Sequence, residues 1–316
     1  MPELFGETLV FAAGILGLTL GADWLVRGGS RIAGRFGIPE LVIGLTVVAF
    51  GTSAPELVIS GGAALRDQPG LAVGNVMGST VANVGLIVGV GALLRPIEVH
   101  RRLLVRESPL LILVLATVMV LSLNDALGRL DGLALLTGFG VYLYFLARWA
   151  SEGSASVPDP TEDVKADGPG PAWDWTMSLA GLMALVFGAH YALEAGEALA
   201  RAFGIPEAVI GATMFAVGTS LPELASTVAA AIRGLGDIAI GNVIGSNVFN
   251  LGLVLGSAAL IRPLQLSPQQ VADQVIPALI FCIGLIPIAY TGMRVNRWEG
   301  VLLLLAYGGF LYWVLL

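Results

Sequence analysis

Charge is what this 316-residue chain has least of: Asp, Glu, Lys and Arg make up 12% of it, about half the ~25% usual in soluble domains. A soluble fold is therefore excluded. Cysteine is nearly absent too. Cys282 stands alone in an apolar run, which excludes disulfides and thiolate metal centres and leaves a small buried hydrophobe. The two histidines make no zinc site without further ligands, and none of a suitable kind accompanies them. No nucleophile–base pair, phosphate loop or HExxH sequence occurs, so neither an enzyme nor a cofactor is expected. A TVGYG-type channel filter is also missing. The basic residues are scattered around apolar runs and the net charge is −7, so nucleic acid is not a partner. What is plentiful is apolar: 56% of residues are hydrophobic and the mean hydropathy is +0.85. The chain reads as an integral membrane protein whose first partner is the lipid bilayer. Met1-Pro2-Glu3 leads into the first apolar run without a basic segment, so a first span is expected there and not a cleaved signal peptide.

Runs of ~20 apolar residues cross a ~30 Å hydrocarbon core as helices. These runs are continuous and lack the alternation of a membrane barrel. Ten helices are predicted, at about 4–33, 40–64, 70–94, 104–123, 130–149, 174–201, 207–232, 237–260, 272–291 and 298–316. The first and sixth are longer than a vertical span needs, which predicts tilt. Between Ser151 and Pro171 runs a segment rich in Pro, Gly and acids, expected as a solvated tether. Its acids lack EF-hand spacing.

An internal repeat organises the whole. Gly37-Ile38-Pro39-Glu40 matches Gly204-Ile205-Pro206-Glu207, Gly74-Asn75 matches Gly241-Asn242, and Arg95-Pro96 matches Arg262-Pro263, all at one offset of 167 residues. Arg129, Asp131 and Gly132 match Arg297, Glu299 and Gly300 at an offset of 168. Five helices per half is an odd number, so the second half is expected upside down relative to the first. The expected fold is all-α: ten transmembrane helices as two inverted five-helix repeats, 1–150 and 173–316, joined by a cytoplasmic acidic linker over 151–172. With both termini outside, twelve Lys and Arg fall on the cytoplasmic side and four outside, which favours that orientation in a plasma (inner) membrane.

Each half carries one ionisable motif inside an apolar run: Gly51-Thr52-Ser53-Ala54-Pro55-Glu56 and Gly218-Thr219-Ser220-Leu221-Pro222-Glu223. A charged side chain at the bilayer centre costs at least ~2.5–3.5 kcal/mol, so it marks a functional site by default. Thr52, Ser53 and Glu56 share one helix face by their i, i+3 and i, i+4 spacing. Pro55 removes a backbone donor and frees carbonyls on the turn before it. The alternative is a kinked helix whose Ser and Thr bond back to the backbone and whose Glu is neutral. Asn75, Ser79 and Asn83 make a polar stripe at i, i+4, i+8, and Asn242, Ser246 and Asn250 repeat it. Such stripes either hold helices together or ligate; the outermost pair, Asn75 and Asn242, leans towards structure. Glycines at 74, 78, 85 and 89, with 241, 245, 252 and 256, permit close helix contact. Asp23 and His190 occupy equivalent positions, as helix glue before any proton pathway. Arg27 with Glu194 has the same symmetry and is expected at an interface. Two carboxylates among hydroxyl, amide and carbonyl oxygens suit a hard cation: Ca²⁺ takes about 6–8 oxygens in flexible geometry.

GTSAPEL with GNVMGSTVANVG, and GTSLPEL with GNVIGSNVFNLG, resemble the paired alpha-repeats of the sodium/calcium exchangers of the cation/Ca²⁺ antiporter superfamily. The resemblance covers essentially the whole chain. It implies Na⁺-driven Ca²⁺ transport by alternating access, the first and sixth helices sliding across the core, with a single chain as the transport unit. It implies that Glu56 and Glu223 bind Ca²⁺ directly. It further implies that Thr52, Ser53, Thr219, Ser220, Ser79 and Ser246, with the carbonyls of Ala49 and Ala216, form Na⁺ sites around Asn83 and Asn250. Position 250 is Asp in K⁺-dependent members and in some prokaryotic exchangers; Asn here implies K⁺ independence. The linker lacks the large regulatory domains of animal exchangers. A Ca²⁺/H⁺ antiporter of the same superfamily is the nearest alternative, and a passive cation channel the alternative from another class.

Overall fold

The computed structural model describes residues 2–122, 126–153, 170–205 and 218–315, nearly all of them helical. The helices in chain order begin with α1 (Pro2–Phe36), followed by α2 (Glu40–Thr52) and α3 (Ala54–Leu65), a pair bent by 47°. Next come α4 (Pro69–Leu94) and α5 (Leu103–Leu121), α6 (Arg129–Gly153) and α7 (Pro171–Ala202). The chain closes with α8 (Leu221–Arg233), α9 (Gly236–Ile261), α10 (Pro268–Met293) and α11 (Arg297–Leu315). Seven of these are long and apolar enough to cross a membrane, and the bent α2–α3 pair makes an eighth. This is a multi-pass membrane protein. The helical ends differ from expectation at the tether: α6 continues to Gly153 and α7 starts at Pro171, because Pro171 sits at the first helical position, where a missing N–H is harmless. Residues 154–169, and the first half of the predicted helix 207–232, lie outside the described residues.

The break between α2 and α3 falls at Ser53, whose backbone (φ −84°, ψ 4°) leaves the helical region, two residues before Pro55. Its N–H still bonds Ala49 O at 3.0 Å, so the helix is bent and not interrupted. The matching break before α8 falls at Ser220 (φ −90°, ψ 8°). Gly37 (φ 63°) and Gly204 (φ 76°) end α1 and α7 in the left-handed region, where a Cβ would be strained. Of five widened π-helical turns among the described residues, none was legible in the sequence; two, Asn83–Val88 in α4 and Asn250–Val254 in α9, begin at the paired asparagines. Such turns arise often at functional sites.

Burial tells which helices are central. The most apolar stretch of α9 is 94% buried and that of α4 78%, against 28–39% for α1, α5, α6, α7 and α10. The outer helices present large apolar side chains such as Phe145 and Leu305 outward, as a lipid-facing surface requires. α1 and α7, of 35 and 32 residues, are ~48–53 Å long at 1.5 Å per residue, far more than a ~30 Å core. They pack along a seam of glycines: a Cβ on Gly14 would lie 2.6 Å from Ala192 N, and one on Gly188 2.6 Å from Leu18 N. Gly21 and Gly181 meet the opposite backbone equally closely.

Short strands link distant parts of the chain at repeat-equivalent positions. β1 (Ile97–Glu98) pairs antiparallel with β4 (Arg294–Val295), and β2 (Ala126–Leu127) with β3 (Leu264–Gln265). Arg129 Nη2 donates to Ile261 O and Arg297 Nη2 to Leu94 O, both at 3.4 Å. Each arginine caps the last carbonyls of a central helix. Gly85, Gly89, Gly252 and Gly256 allow close approach of α11 and α6 onto α4 and α9, the packing role expected of them. Gly241 and Gly245 receive α2 in the same way, through Leu41 O and Leu45.

Candidate cation site

The α2–α3 bend, the start of α8 and the π-helical turns at Asn83 and Asn250 converge on one place. Glu56 follows the α2–α3 break by three residues and Glu223 follows Ser220 by three, so each carboxyl lies on the first turn of a helix that starts at the centre of the bundle. The helix N-terminus there carries partial positive charge, which favours an anionic side chain. Both glutamates have 0% relative exposure, and they stand close enough for their charges to interact.

Their partners come from across the bundle. Ser53 Oγ donates to Glu223 Oε1 at 3.0 Å, and Ser79 Oγ donates to Glu56 Oε1 at 3.4 Å. Thr52 and Ser246 also neighbour Glu223, and Thr219 neighbours Glu56. Thr52 Oγ1 donates to Asn242 Oδ1 at 3.2 Å and lies 3.4 Å from Ser246 Oγ. Ser220 Oγ donates to Ser79 Oγ at 3.1 Å, and Asn250 Nδ2 donates to the same oxygen at 3.1 Å. Asn83 Nδ2 donates to Asn247 Oδ1 at 2.8 Å. These amide donors being spent, the other ends of the side chains are left as acceptors. Among the described residues, Glu56 Oε2, Glu223 Oε2, Asn83 Oδ1 and Asn250 Oδ1 are buried without a hydrogen-bond partner.

Ten of the twelve residues singled out in the sequence are thus placed on or next to one centre, with two qualifications. The Ala49 carbonyl accepts Ser53 N at 3.0 Å and lies 3.3 Å from Thr52 Oγ1, whose single proton it shares with Asn242 Oδ1. Ala216 lies outside the described residues. Asn75 and Asn242 behave as supports: Asn75 Nδ2 donates to Ser60 Oγ at 2.9 Å, and Asn242 Nδ2 donates to Ser226, Thr227 and the Glu223 carbonyl. Asn247 was missed. Its repeat partner is Thr80, so a search for matched pairs passes over it. Its burial on α9, three residues before Asn250, was the available signal. The pair Asp23 and His190 divides: Asp23 joins α1 to α8 through Arg233 and pairs with Arg27 at 3.0 Å, whereas the His190 side chain is 66% exposed and, among the described residues, meets Glu194 at 3.7 Å and the Tyr191 ring, both on its own helix. Among the described residues, then, His190 joins no second helix.

A buried pair of carboxylates repels itself and has lost its hydration; a cation between them relieves both penalties. No three His, Cys, Asp or Glu side chains cluster as a metal site among the described residues. The centre is two acids in a field of neutral oxygens, which suits a hard cation that must also leave.

A multi-pass helical protein with such a centre belongs to the class of membrane transporters. The sodium/calcium exchanger protein family model matches residues 6–148 and 173–316. The sodium/calcium exchanger MaX1 of Methanosarcina acetivorans is 34% identical, over 96% of this chain and 97% of its own. Inner membrane protein YrbG of Escherichia coli is 36% identical, over 97% and 95%. The solved structure of the sodium-calcium exchanger NCX_Mj superposes with a TM-score of 0.82 at 34% identity, covering 95% of this chain and 96% of that one. The chain belongs to the sodium/calcium exchanger family, and is a transporter of cations including Ca²⁺.

Proposed function

We propose that this protein is a secondary antiporter exchanging several Na⁺ for one Ca²⁺, independent of K⁺, by alternating access. The observation that carries the reading is the set of four unpartnered buried oxygens from Glu56, Glu223, Asn83 and Asn250, drawn from four different helical segments. Ca²⁺ sits between the glutamates, whose two charges it balances, and the amide oxygens complete part of its shell. Na⁺ competes for the same centre through the hydroxyls of Thr52, Ser53, Ser79, Thr219, Ser220 and Ser246, and through the Ala216 carbonyl. The Ala49 carbonyl joins them through the lone pair that Ser53 N leaves free. Asn at position 250 leaves two carboxylates at the centre, and this is the ground for K⁺ independence.

The architecture in this proposal is ten transmembrane helices in two inverted halves, 1–150 and 173–316. The exchange of strands and arginine caps at equivalent positions supports it. Both termini are placed outside, with the linker cytoplasmic, on the bias of Lys and Arg. The glycine seam lets α1 and α7 slide as a unit across the core, opening the site to one side at a time. An empty, doubly charged site resists this movement, because its carboxylates have nothing to neutralise them. Obligatory exchange follows.

Ca²⁺ uptake into Na⁺-loaded proteoliposomes tests the reading. Uptake is expected only with an outward Na⁺ gradient, with or without K⁺. Uptake driven by a pH gradient in the absence of Na⁺ selects a Ca²⁺/H⁺ antiporter instead, and rapid uptake with no counter-ion selects a channel.

A further inference from the structure

Each central helix carries one asparagine beside the cation centre, Asn75 on α4 and Asn242 on α9, at equivalent positions of the repeat. Their amide ends are held alike. Asn75 Nδ2 donates to Ser60 Oγ at 2.9 Å and to the Glu56 carbonyl at 3.5 Å. Asn242 Nδ2 donates to Thr227 Oγ1, the equivalent of Ser60, at 2.9 Å and to the Glu223 carbonyl at 3.3 Å. Both side chains are buried and fixed in orientation by these bonds, each tying a central helix to the first turn of a glutamate-bearing one.

Their oxygen ends differ. Asn242 Oδ1 accepts Thr52 Oγ1 at 3.2 Å. Asn75 Oδ1 is buried and, among the described residues, has no hydrogen-bond partner, although Thr219 stands in the repeat where Thr52 does. Thr52 is fully buried, whereas Thr219 is half-buried and neighbours the Glu56 carboxylate. Thr219 is nonetheless near Asn75. Ser220, the next residue, donates to Ser79 Oγ at 3.1 Å, and Ser79 lies one turn along α4 from Asn75. A buried acceptor without a donor is costly, and here the acceptor is held in place with its symmetry-matched donor close by.

Where a hydroxyl proton points decides what its oxygen can do. A threonine hydroxyl has one proton and two lone pairs. It ligates a cation through the lone pairs, so the proton must be placed elsewhere. Given to Glu56, that proton takes up a carboxylate oxygen the cation needs; given to Asn75 Oδ1, it leaves both oxygens free. Given sodium/calcium exchange as proposed above, we infer that Asn75 is a positioning residue for Na⁺: as the site closes over its ions, the Thr219 hydroxyl donates to Asn75 Oδ1, as Thr52 already donates to Asn242 Oδ1, and turns its lone pairs to the cation. Asn75 itself touches no ion. The hydroxyl matters more to Na⁺ than to Ca²⁺, whose charge the two glutamates balance, so the effect of Asn75 falls on the coupling ion.

The test is a double-mutant cycle in proteoliposomes. Ca²⁺ uptake against a Na⁺ gradient is measured for the wild type, Asn75→Leu, Thr219→Val and the double variant, with the half-saturating Na⁺ and Ca²⁺ concentrations read separately. Leu and Val match the replaced residues in size and accept no hydrogen bond. Asn75→Leu is expected to raise the half-saturating Na⁺ concentration roughly 5-fold, the worth of one neutral hydrogen bond, and to change that for Ca²⁺ less than about 2-fold. Thr219→Val should raise the Na⁺ value at least as much. Adding Asn75→Leu to Thr219→Val should change nothing further, because the hydroxyl it positions is gone. Asn75→Ala closes the same cycle should Asn75→Leu fail to fold. Additive effects, or equal shifts for Na⁺ and Ca²⁺, overturn the proposal and make Asn75 a packing residue, while the exchange reading stands on the wild type's dependence on Na⁺. Wild-type uptake indifferent to Na⁺ overturns both.

Discussion

Glu56 and Glu223 are both fully enclosed, so converting either to glutamine removes half of the charge available to a divalent ion and offers no water in exchange. Breaking one partner out of a buried charged set costs about 3–5 kcal/mol, or more than ~100-fold in binding. Glu56→Gln and Glu223→Gln are each expected to abolish Ca²⁺ uptake into proteoliposomes while the protein still elutes as a folded species; near-normal flux in both would remove the glutamates from the site. Asn250→Asp adds a third carboxylate among these oxygens. It should change which monovalent ion supports exchange more than it changes thermal stability, as flux against separate Na⁺, K⁺ and H⁺ gradients will reveal. Asn247 acts at one remove in the proposed site: it accepts the Asn83 amide hydrogen, and Asn83 Oδ1 is left buried without a partner. Losing one such bond is worth about 1 kcal/mol. Asn247→Ala should therefore raise the half-saturating Ca²⁺ concentration roughly 5-fold and leave the maximal rate nearly unchanged. The acids and hydroxyls of this site were legible in the sequence because polarity inside an apolar run is conspicuous and occurs twice. Asn247 was not, because its equivalent, Thr80, bonds back to Val76 O on its own helix and does nothing similar.

Helices place these residues, and their irregularities were only partly readable. Pro55 announced the bend between α2 and α3, and Pro222 the start of α8. The π-helical turns beginning at Asn83 and Asn250 had no such announcement, since an added residue per turn is decided by packing around the helix and not by any breaker within it. The length of α1 and α7 predicted tilt, but their contact was not foreseen: glycines spaced along a long helix tell only that something approaches closely. The seam makes a sharp demand. A Cβ at Gly188 would stand 2.6 Å from Leu18 N and 2.9 Å from Gly14 O, and backbone atoms do not move aside as flexible side chains do. Overpacking of this kind costs about 1–3 kcal/mol. Gly188→Val should lower the melting temperature and slow exchange, whereas Gly308→Ala, with nothing within 4 Å, should stabilise α11 by up to ~1 kcal/mol. Equal melting temperatures for the two variants would show that α1 and α7 do not depend on their close approach.

In the proposed exchange two carboxylates stand at the centre of the molecule, so the charge carried per cycle depends on how many Na⁺ replace one Ca²⁺. Two carboxylates balance one Ca²⁺. If they hold two Na⁺ the cycle is electroneutral; if neutral oxygens hold a third, one net positive charge moves with Na⁺. The hydroxyls around the centre, Ser53 and Thr52 beside Glu223 and Ser79 beside Glu56, are more numerous than two ions need and favour the third. In Na⁺-loaded vesicles, Ca²⁺ enters with two charges while three leave with Na⁺, so positive charge flows outward. An inside-positive potential drives that flow and an inside-negative one opposes it. Imposing each with valinomycin and a K⁺ gradient should therefore accelerate and retard Ca²⁺ uptake respectively, at unchanged Na⁺ and Ca²⁺ concentrations. A rate indifferent to both potentials would mean two monovalent charges per Ca²⁺, and the surplus hydroxyls would then be hydrogen-bonding the glutamates through the cycle instead of holding an ion.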